Sequence, residues 1–303
     1  MSAERTVSDT ESISTLRAWV MATRPKTLAA AAIPVLVGTA VAVSAGAFAA
    51  GAAFAAFLGA GLLQIGANLA NDYFDAESGA DNEDRLGPTR VVQAGLLSPK
   101  AVKTATALTF GAATVVGVYL VALAGWPIVA IGVASILAAI AYTGGPYPLG
   151  YHGLGELFVF LFFGLVAVVG TYYVQALALS ADPFVAAVPV GLLSSAILVV
   201  NNYRDIETDR QAGKNTLAVR LGPAATRWQY VLLVAGAYLV PVVQVVLFAA
   251  PITLLLPLLS LPVAVVTTRR LWTNEGTALN AVLAQTAGLL SVFGILYAAG
   301  YML

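Results

Sequence analysis

The chain has 303 residues, of which 59% are hydrophobic and only 10% charged, with fifteen basic residues balanced by fifteen acidic ones and no cysteine. A soluble domain carries roughly 45–50% apolar and about 25% charged residues, so a water-soluble fold is excluded and lipid is the solvent for most of this chain. Zero net charge argues against a nucleic-acid partner, and the lack of cysteine excludes disulfides and thiolate metal centres.

Residues 1–16 are polar and aperiodic; they are expected to form a disordered N-terminal tail ahead of a single transmembrane domain over 17–303. They lack the basic-then-apolar order of a cleaved leader. Uncharged stretches follow, each roughly twice the ~20 residues that cross a bilayer core, so each must fold back as a helical hairpin. Thr27 to Ala70 is expected to turn near Ser44, Thr104 to Thr143 at Gly125 to Pro127, Leu157 to Val200 near Asp182, and Trp228 to Thr268 near Pro251. A single span, Ala278 to Leu303, closes the chain. The expectation is an all-α membrane protein of about nine transmembrane helices, bundled around a central cavity. If the N-terminus is cytoplasmic, all fifteen Lys and Arg residues fall on the cytoplasmic side, as the positive-inside rule asks. That threading makes it a multi-pass cell-membrane protein. Gly59, Gly61, Gly66, Gly111 and Gly117 are expected to let helices approach closely. Gln64 and Gln175 are polar positions inside spans, suited to a cavity wall or to an interhelical hydrogen bond.

Two acidic clusters break the apolar pattern. The first reads "NDYFDAESGAD" at 71–81 and the second "NYRDIETD" at 202–209. Each follows an apolar helix and runs into a charged loop ending in Gly-Pro, the repeated plan of an internal duplication. On a helix, Asn68, Asp72 and Asp75 share a face by i, i+4, i+7 spacing, and Asn202, Asp205 and Asp209 share one by i, i+3, i+7. Crowded carboxylates need a cation between them, and oxygen-only ligands point to Mg²⁺ rather than zinc. Arg85, Arg90, Arg204, Arg210 and Lys214 stand beside them. Carboxylate, metal, phosphate and then Arg or Lys is an order suited to a diphosphate, and its position at a membrane face suggests a lipid-linked one. Interfacial salt bridges and caps are the plainer account of any one such cluster; two similarly spaced clusters with flanking Asn argue against it.

These residues resemble the UbiA superfamily of intramembrane prenyltransferases. Asn71, Asp72, Asp75 and Asp81 fit its first aspartate motif with a longer final spacing, which leaves Asp81 or Glu77 to complete the first metal site; Asp205 and Asp209 fit its second. "RPKTL" at 24–28, "DRLGPTRVVQAG" at 84–95, "YTGGPYPLGYHGLGE" at 142–156 and "NNYRDIETDRQAGKNTLAVRLG" at 201–222 resemble the 1,4-dihydroxy-2-naphthoate polyprenyltransferase branch. The resemblance implies Mg²⁺-assisted departure of diphosphate from a polyprenyl diphosphate, attack by the aromatic acceptor on the allylic cation, and loss of CO₂ to give demethylmenaquinone, a step of menaquinone biosynthesis. Asp72, Asp75, Asp205 and Asp209 would be the catalytic residues, and with Asp81 the metal ligands. Asn68, Asn71, Arg85, Arg90, Asn202, Arg204, Arg210 and Lys214 would bind substrate, together with Tyr142, Tyr147, Tyr151 and His152 near the mouth. Tyr73, Phe74, Phe158 and Tyr203 join those tyrosines as candidates to shield the cation. The glycine- and proline-rich segment 143–156 reads as a loop that closes over the site. His152 reads either as a structural hydrogen-bonder or as a contact to the acceptor, Glu156 as a ligand-orienting group or a helix cap, and Arg24 and Lys26 as membrane anchors or attractors of an anionic acceptor.

The competing readings are prenyl transfer to 4-hydroxybenzoate, a chlorophyllide, haem or a prenylglyceryl phosphate, and a cation-coupled transporter. Transporter sites lie near the bilayer midplane, whereas these carboxylates sit at span ends among arginines. Oligomeric state and prenyl length are not readable from the sequence.

Overall fold

The computed structural model describes residues 13–79 and 86–303, and these are helical without strands. Helix α1 (Thr15–Thr23) starts inside the stretch expected to be tail, because Ser14 Oγ caps it by accepting from the Arg17 N–H at 3.3 Å. The chain continues through α2 (Leu28–Ser44), α3 (Ala50–Glu77), α4 (Pro99–Ala124), α5 (Trp126–Ala141), α6 (Gly155–Val159), α7 (Ala167–Ala176), α8 (Asp182–Arg204), α9 (Ile206–Gln211), α10 (Leu217–Phe248), α11 (Leu261–Thr273) and α12 (Leu279–Met302).

Eight segments of the described residues are long and apolar enough to cross a membrane, with α1 and α2 counted as one and α6 to α7 as another. The remaining expected span is α5, whose 16 residues reach about 24 Å, short of a ~30 Å hydrocarbon core. The hairpins turn where the sequence places them. Between α4 and α5 the reversal takes a single residue, Gly125, at φ 76° and ψ −164°, a conformation that a side chain would forbid.

Helix α3 packs along α4, α8 along α10, and α2 against both α12 and α7. The main core centres on α2, α8, α10 and α12, with Leu193, Tyr230, Phe293 and Tyr297 fully buried. Large apolar side chains such as Leu108, Val115, Leu232 and Val246 point outward, which lipid accepts and water would not.

With no hydrophobic drive between helices in lipid, close packing relies on small residues. Of the glycines expected in this role, Gly66 fills it: an added Cβ would meet the Phe110 ring at 2.5 Å. Gly61, Gly111 and Gly117 face open space and Gly59 only an ordinary contact. Close approaches of backbone to backbone lie elsewhere. A Cβ on Gly164 would stand 2.8 Å from Gly191 Cα, and one on Gly300 2.6 Å from the Thr253 carbonyl oxygen. Gly164 belongs to a π-helical stretch, Phe160–Val166, that joins α6 to α7 and turns their faces relative to a regular helix.

Candidate active site

Asn68, Asp72 and Asp75 lie on one buried face near the end of α3, as their spacing requires. Asp72 is held by backbone: its two oxygens accept from the N–H groups of Val91 and Val92 at 3.2 and 3.0 Å. Asp75, only 2% exposed, accepts from Arg90 Nη2 at 2.7 Å, Lys214 Nζ at 3.2 Å and the Tyr151 hydroxyl at 2.5 Å. Burying a carboxylate at this depth requires such partners.

Lys214 belongs to the loop after the second cluster, 139 positions away, so one contact joins both motifs at the same end of the bundle. The Lys214 ammonium also rests 4.5 Å from the Tyr151 ring centre, and the backbone N–H of Lys214 donates to the Asp209 carbonyl at 2.8 Å.

The second motif is not one continuous helix. Helix α8 ends at Arg204, Asp205 takes a non-helical conformation, and α9 restarts at Ile206. The break lets Arg204 turn back on Asp205 through two bonds, Nε to Oδ1 at 2.7 Å and Nη2 to Oδ2 at 2.6 Å. Arg204 also reaches Asn280 Oδ1 at 2.6 Å and Asn201 Oδ1 at 2.9 Å. Asn202 donates to Glu156 Oε1 at 3.0 Å.

The 142–155 segment crosses the site and is tied at several points. Thr143 donates to Asn71 Oδ1 at 2.9 Å, Tyr151 to Asp75, and the Asn215 N–H to the Tyr151 carbonyl at 2.8 Å. Tyr142 lies within range of the charges of Glu156, Asp75 and Asp209. Burial first, then those three charges, hold its phenol above the usual tyrosine range, so at neutral pH it remains a hydrogen-bond donor.

Several sequence-predicted residues do other work. Asn68 donates to the Thr23 carbonyl at 3.0 Å and Thr27 Oγ1 at 2.9 Å and accepts from Gln64, so it staples the α1–α2 junction to α3. Arg210 turns outward to an exposed Glu207 at 2.7 Å, away from the carboxylates. Tyr147 is exposed and stacks on His152 at 3.7 Å, while His152 Nδ1 lies 2.8 Å from the Pro148 carbonyl. Tyr73 bonds Glu77 at 3.0 Å on the outer rim of α3, so Glu77 does not share the Asp72 face. Asp81 and Arg85 lie outside the described residues.

Sequence reasoning passed over four contributors. The Val91 and Val92 amides carry no side-chain signature, and Thr143 is one hydroxyl in a turn-rich loop. Asn280 is a lone polar residue opening an apolar span, and it also donates to the Leu86 carbonyl at 2.9 Å. Arg24, which the sequence offered as an anchor or an attractor of an anionic acceptor, closes α1 at a left-handed position (φ 50°) and stands near enough to Asp72 for its charge to act there.

These donors are carboxylate, amide and hydroxyl oxygens, the chemistry of a hard cation. Among the described residues no three acidic or imidazole side chains yet converge on one point, since Arg90, Lys214 and Arg204 neutralise the carboxylates instead. The donor set fits Mg²⁺. The paired cations fit the anion that would accompany it.

Residues 31–301 match the UbiA prenyltransferase family. The chain belongs to that family. Its UbiA relatives include the 1,4-dihydroxy-2-naphthoate octaprenyltransferase of Escherichia coli K12, 43% identical over 233 residues, with 75% of this chain and 76% of that protein covered. The protein of the same name from Mycobacterium tuberculosis is 46% identical over 220 residues, covering 72% and 75%. Among solved structures, a UbiA homologue from Archaeoglobus fulgidus bound to GPP and Mg²⁺ superimposes with a TM-score of 0.69 at 15% identity, covering 94% of this chain and 99% of that one. The UbiA fold of this chain is therefore a membrane prenyltransferase fold, with its two aspartate motifs brought to one end.

Proposed function

We propose that this enzyme transfers a polyprenyl group from an allylic diphosphate to 1,4-dihydroxy-2-naphthoate, with loss of CO₂ and diphosphate, giving demethylmenaquinone. The contact of Lys214 with Asp75 carries the reading, because it gathers carboxylates and phosphate-binding cations from both motifs into one site. The naphthoate relatives named above support the acceptor. Residues 17–303 act as one unit, with the site at the cytoplasmic face, where the basic loops lie.

Asp72, Asp75, Asp205 and Asp209 would hold Mg²⁺, which supplies the charge neutralisation that lets diphosphate leave. Arg90, Lys214 and Arg204 then transfer their hydrogen bonds from the carboxylates to phosphate oxygens, an exchange between acceptors of like charge. The prenyl C1–O bond breaks, and the electron pair stays on the diphosphate. Tyr142 and Tyr151 border the resulting allylic cation, where each aromatic face contributes about 0.5–2 kcal/mol, and the 142–155 segment keeps water out. The acceptor carbon bearing the carboxylate attacks C1. Its bond to CO₂ then breaks, and that electron pair restores the aromatic ring.

The test is an acceptor panel: the enzyme in vesicles with Mg²⁺ and a long-chain prenyl diphosphate, offered dihydroxynaphthoate, 4-hydroxybenzoate and a prenylglyceryl phosphate in turn. Product is expected from dihydroxynaphthoate. Product from another acceptor only would overturn the assignment.

A further inference from the structure

Glu156 differs from Asp72, Asp75 and Asp205. It sits at the start of α6 and is more than nine-tenths buried. Its Oε1 accepts from Asn202 at 3.0 Å, and its backbone carbonyl accepts from Ser195 Oγ at 3.0 Å. Its Oε2 is sealed from solvent and has no hydrogen-bond partner. Among the described residues no cation pairs with it, in contrast to Asp75 with Arg90 and Lys214 and Asp205 with Arg204. A buried acceptor left unmatched is costly, and native proteins rarely keep one without use.

Its position gives the use. Tyr142 is close enough to Glu156, Asp75 and Asp209 to feel all three charges, and its hydroxyl oxygen stands 3.0 Å from where a Gly155 Cβ would be. Asn202, the partner of Oε1, begins the second motif. Glu156 is therefore joined to the second motif through Asn202 and to the 142–155 segment beside Tyr142, at the foot of the segment that carries Phe158 and the Phe162 ring stacked on it.

A carboxyl oxygen with no cation beside it cannot attract a diphosphate, which offers only anionic acceptors. It suits a ligand that brings a hydroxyl donor. We infer that Glu156 Oε2 binds the aromatic acceptor by accepting a hydrogen bond from its ring hydroxyl, an inference that rests on the acceptor proposed above. In 1,4-dihydroxy-2-naphthoate the hydroxyl beside the carboxylate is already bonded to it within the molecule. The remote hydroxyl keeps a free donor, and it is the one that Glu156 takes. This fixes the ring with its carboxylate-bearing carbon turned toward the diphosphate end, and Glu156 acts as a binding and orienting residue rather than as a proton carrier.

The experiment compares 1,4-dihydroxy-2-naphthoate with 1-hydroxy-2-naphthoate, which lacks only the remote hydroxyl, in the wild-type chain, Glu156→Ala and Glu156→Gln, with Mg²⁺ and prenyl diphosphate. Loss of a buried hydrogen bond of this kind lowers kcat/KM about 10- to 100-fold, and that loss is expected in the wild type. In Glu156→Ala the same change of acceptor should alter kcat/KM less than about threefold, the coupling that a double-mutant cycle isolates. Glu156→Gln retains an oxygen for Asn202 and controls for folding; its KM for the prenyl diphosphate should stay within about twofold of the wild type while its KM for the acceptor rises. Equal losses in wild type and Glu156→Ala, or a diphosphate KM that rises in step with the acceptor KM in Glu156→Gln, would overturn the assignment of Glu156 alone. A wild-type enzyme that turns over neither naphthoate removes the proposed function, and this inference with it.

Discussion

The ammonium of Lys214 lies 3.2 Å from Asp75 Oδ1, a contact between the loop that follows the second aspartate motif and the helix that carries the first. Because Asp75 also receives Arg90 and Tyr151, it is the point on which three separate chain segments converge.

Substitution of Asp75 by Asn removes the charge that Arg90 and Lys214 answer. Turnover should fall at least about 100-fold, as is usual when a group acting on the departing charge is lost. The protein should still insert and elute as a single species in detergent. Activity above a tenth of wild type would remove Asp75 from the reaction.

Lys214→Ala should raise the KM for prenyl diphosphate about 10- to 100-fold, since a charge-assisted hydrogen bond is worth about 1.5–3 kcal/mol. Arg210→Ala, which breaks only an exposed pair with Glu207, should leave kcat/KM within about twofold. A larger effect at Arg210 than at Lys214 would reverse the assignment of the two cations.

Asn280→Ala loosens Arg204, which holds Asp205 by two bonds. Outer-shell partners of metal-binding carboxylates typically contribute 10- to 100-fold in metal affinity. The Mg²⁺ concentration for half-maximal activity should therefore rise about tenfold, with the diphosphate KM changed much less. An unchanged Mg²⁺ titration would show that Asn280 serves only to fix the Leu86 carbonyl.

Asn68→Ala should act on stability rather than on chemistry, because its amide is spent on Thr23, Thr27 and Gln64. Leaving those buried groups unpaired costs about 1–3 kcal/mol, read as an earlier thermal midpoint in detergent. Substrate KM values should stay near wild type; a selective rise in diphosphate KM would return Asn68 to the binding site.

The sequence by itself determined the solvent, the spans and the hairpin turns, because hydrocarbon leaves a chain no option but helices that satisfy their own backbone. It also determined that Asn68, Asp72 and Asp75 share a face, since that follows from helical periodicity alone. Periodicity could not say which members of the face meet a ligand: Asn68 is drawn to the α1–α2 junction by Thr23 and Thr27, partners that are near only once α1 docks on α3. Nor could it foresee the break at Asp205, which depends on Arg204 finding Asp205, Asn201 and Asn280 together. Only the tertiary structure joined Asp75 to Lys214 and left Glu156 Oε2 unmatched. Hydrogen bonds between distant segments follow from where helices pack, and helices in lipid pack by the fit of small surfaces such as Gly164 on Gly191, a fit that no local pattern encodes.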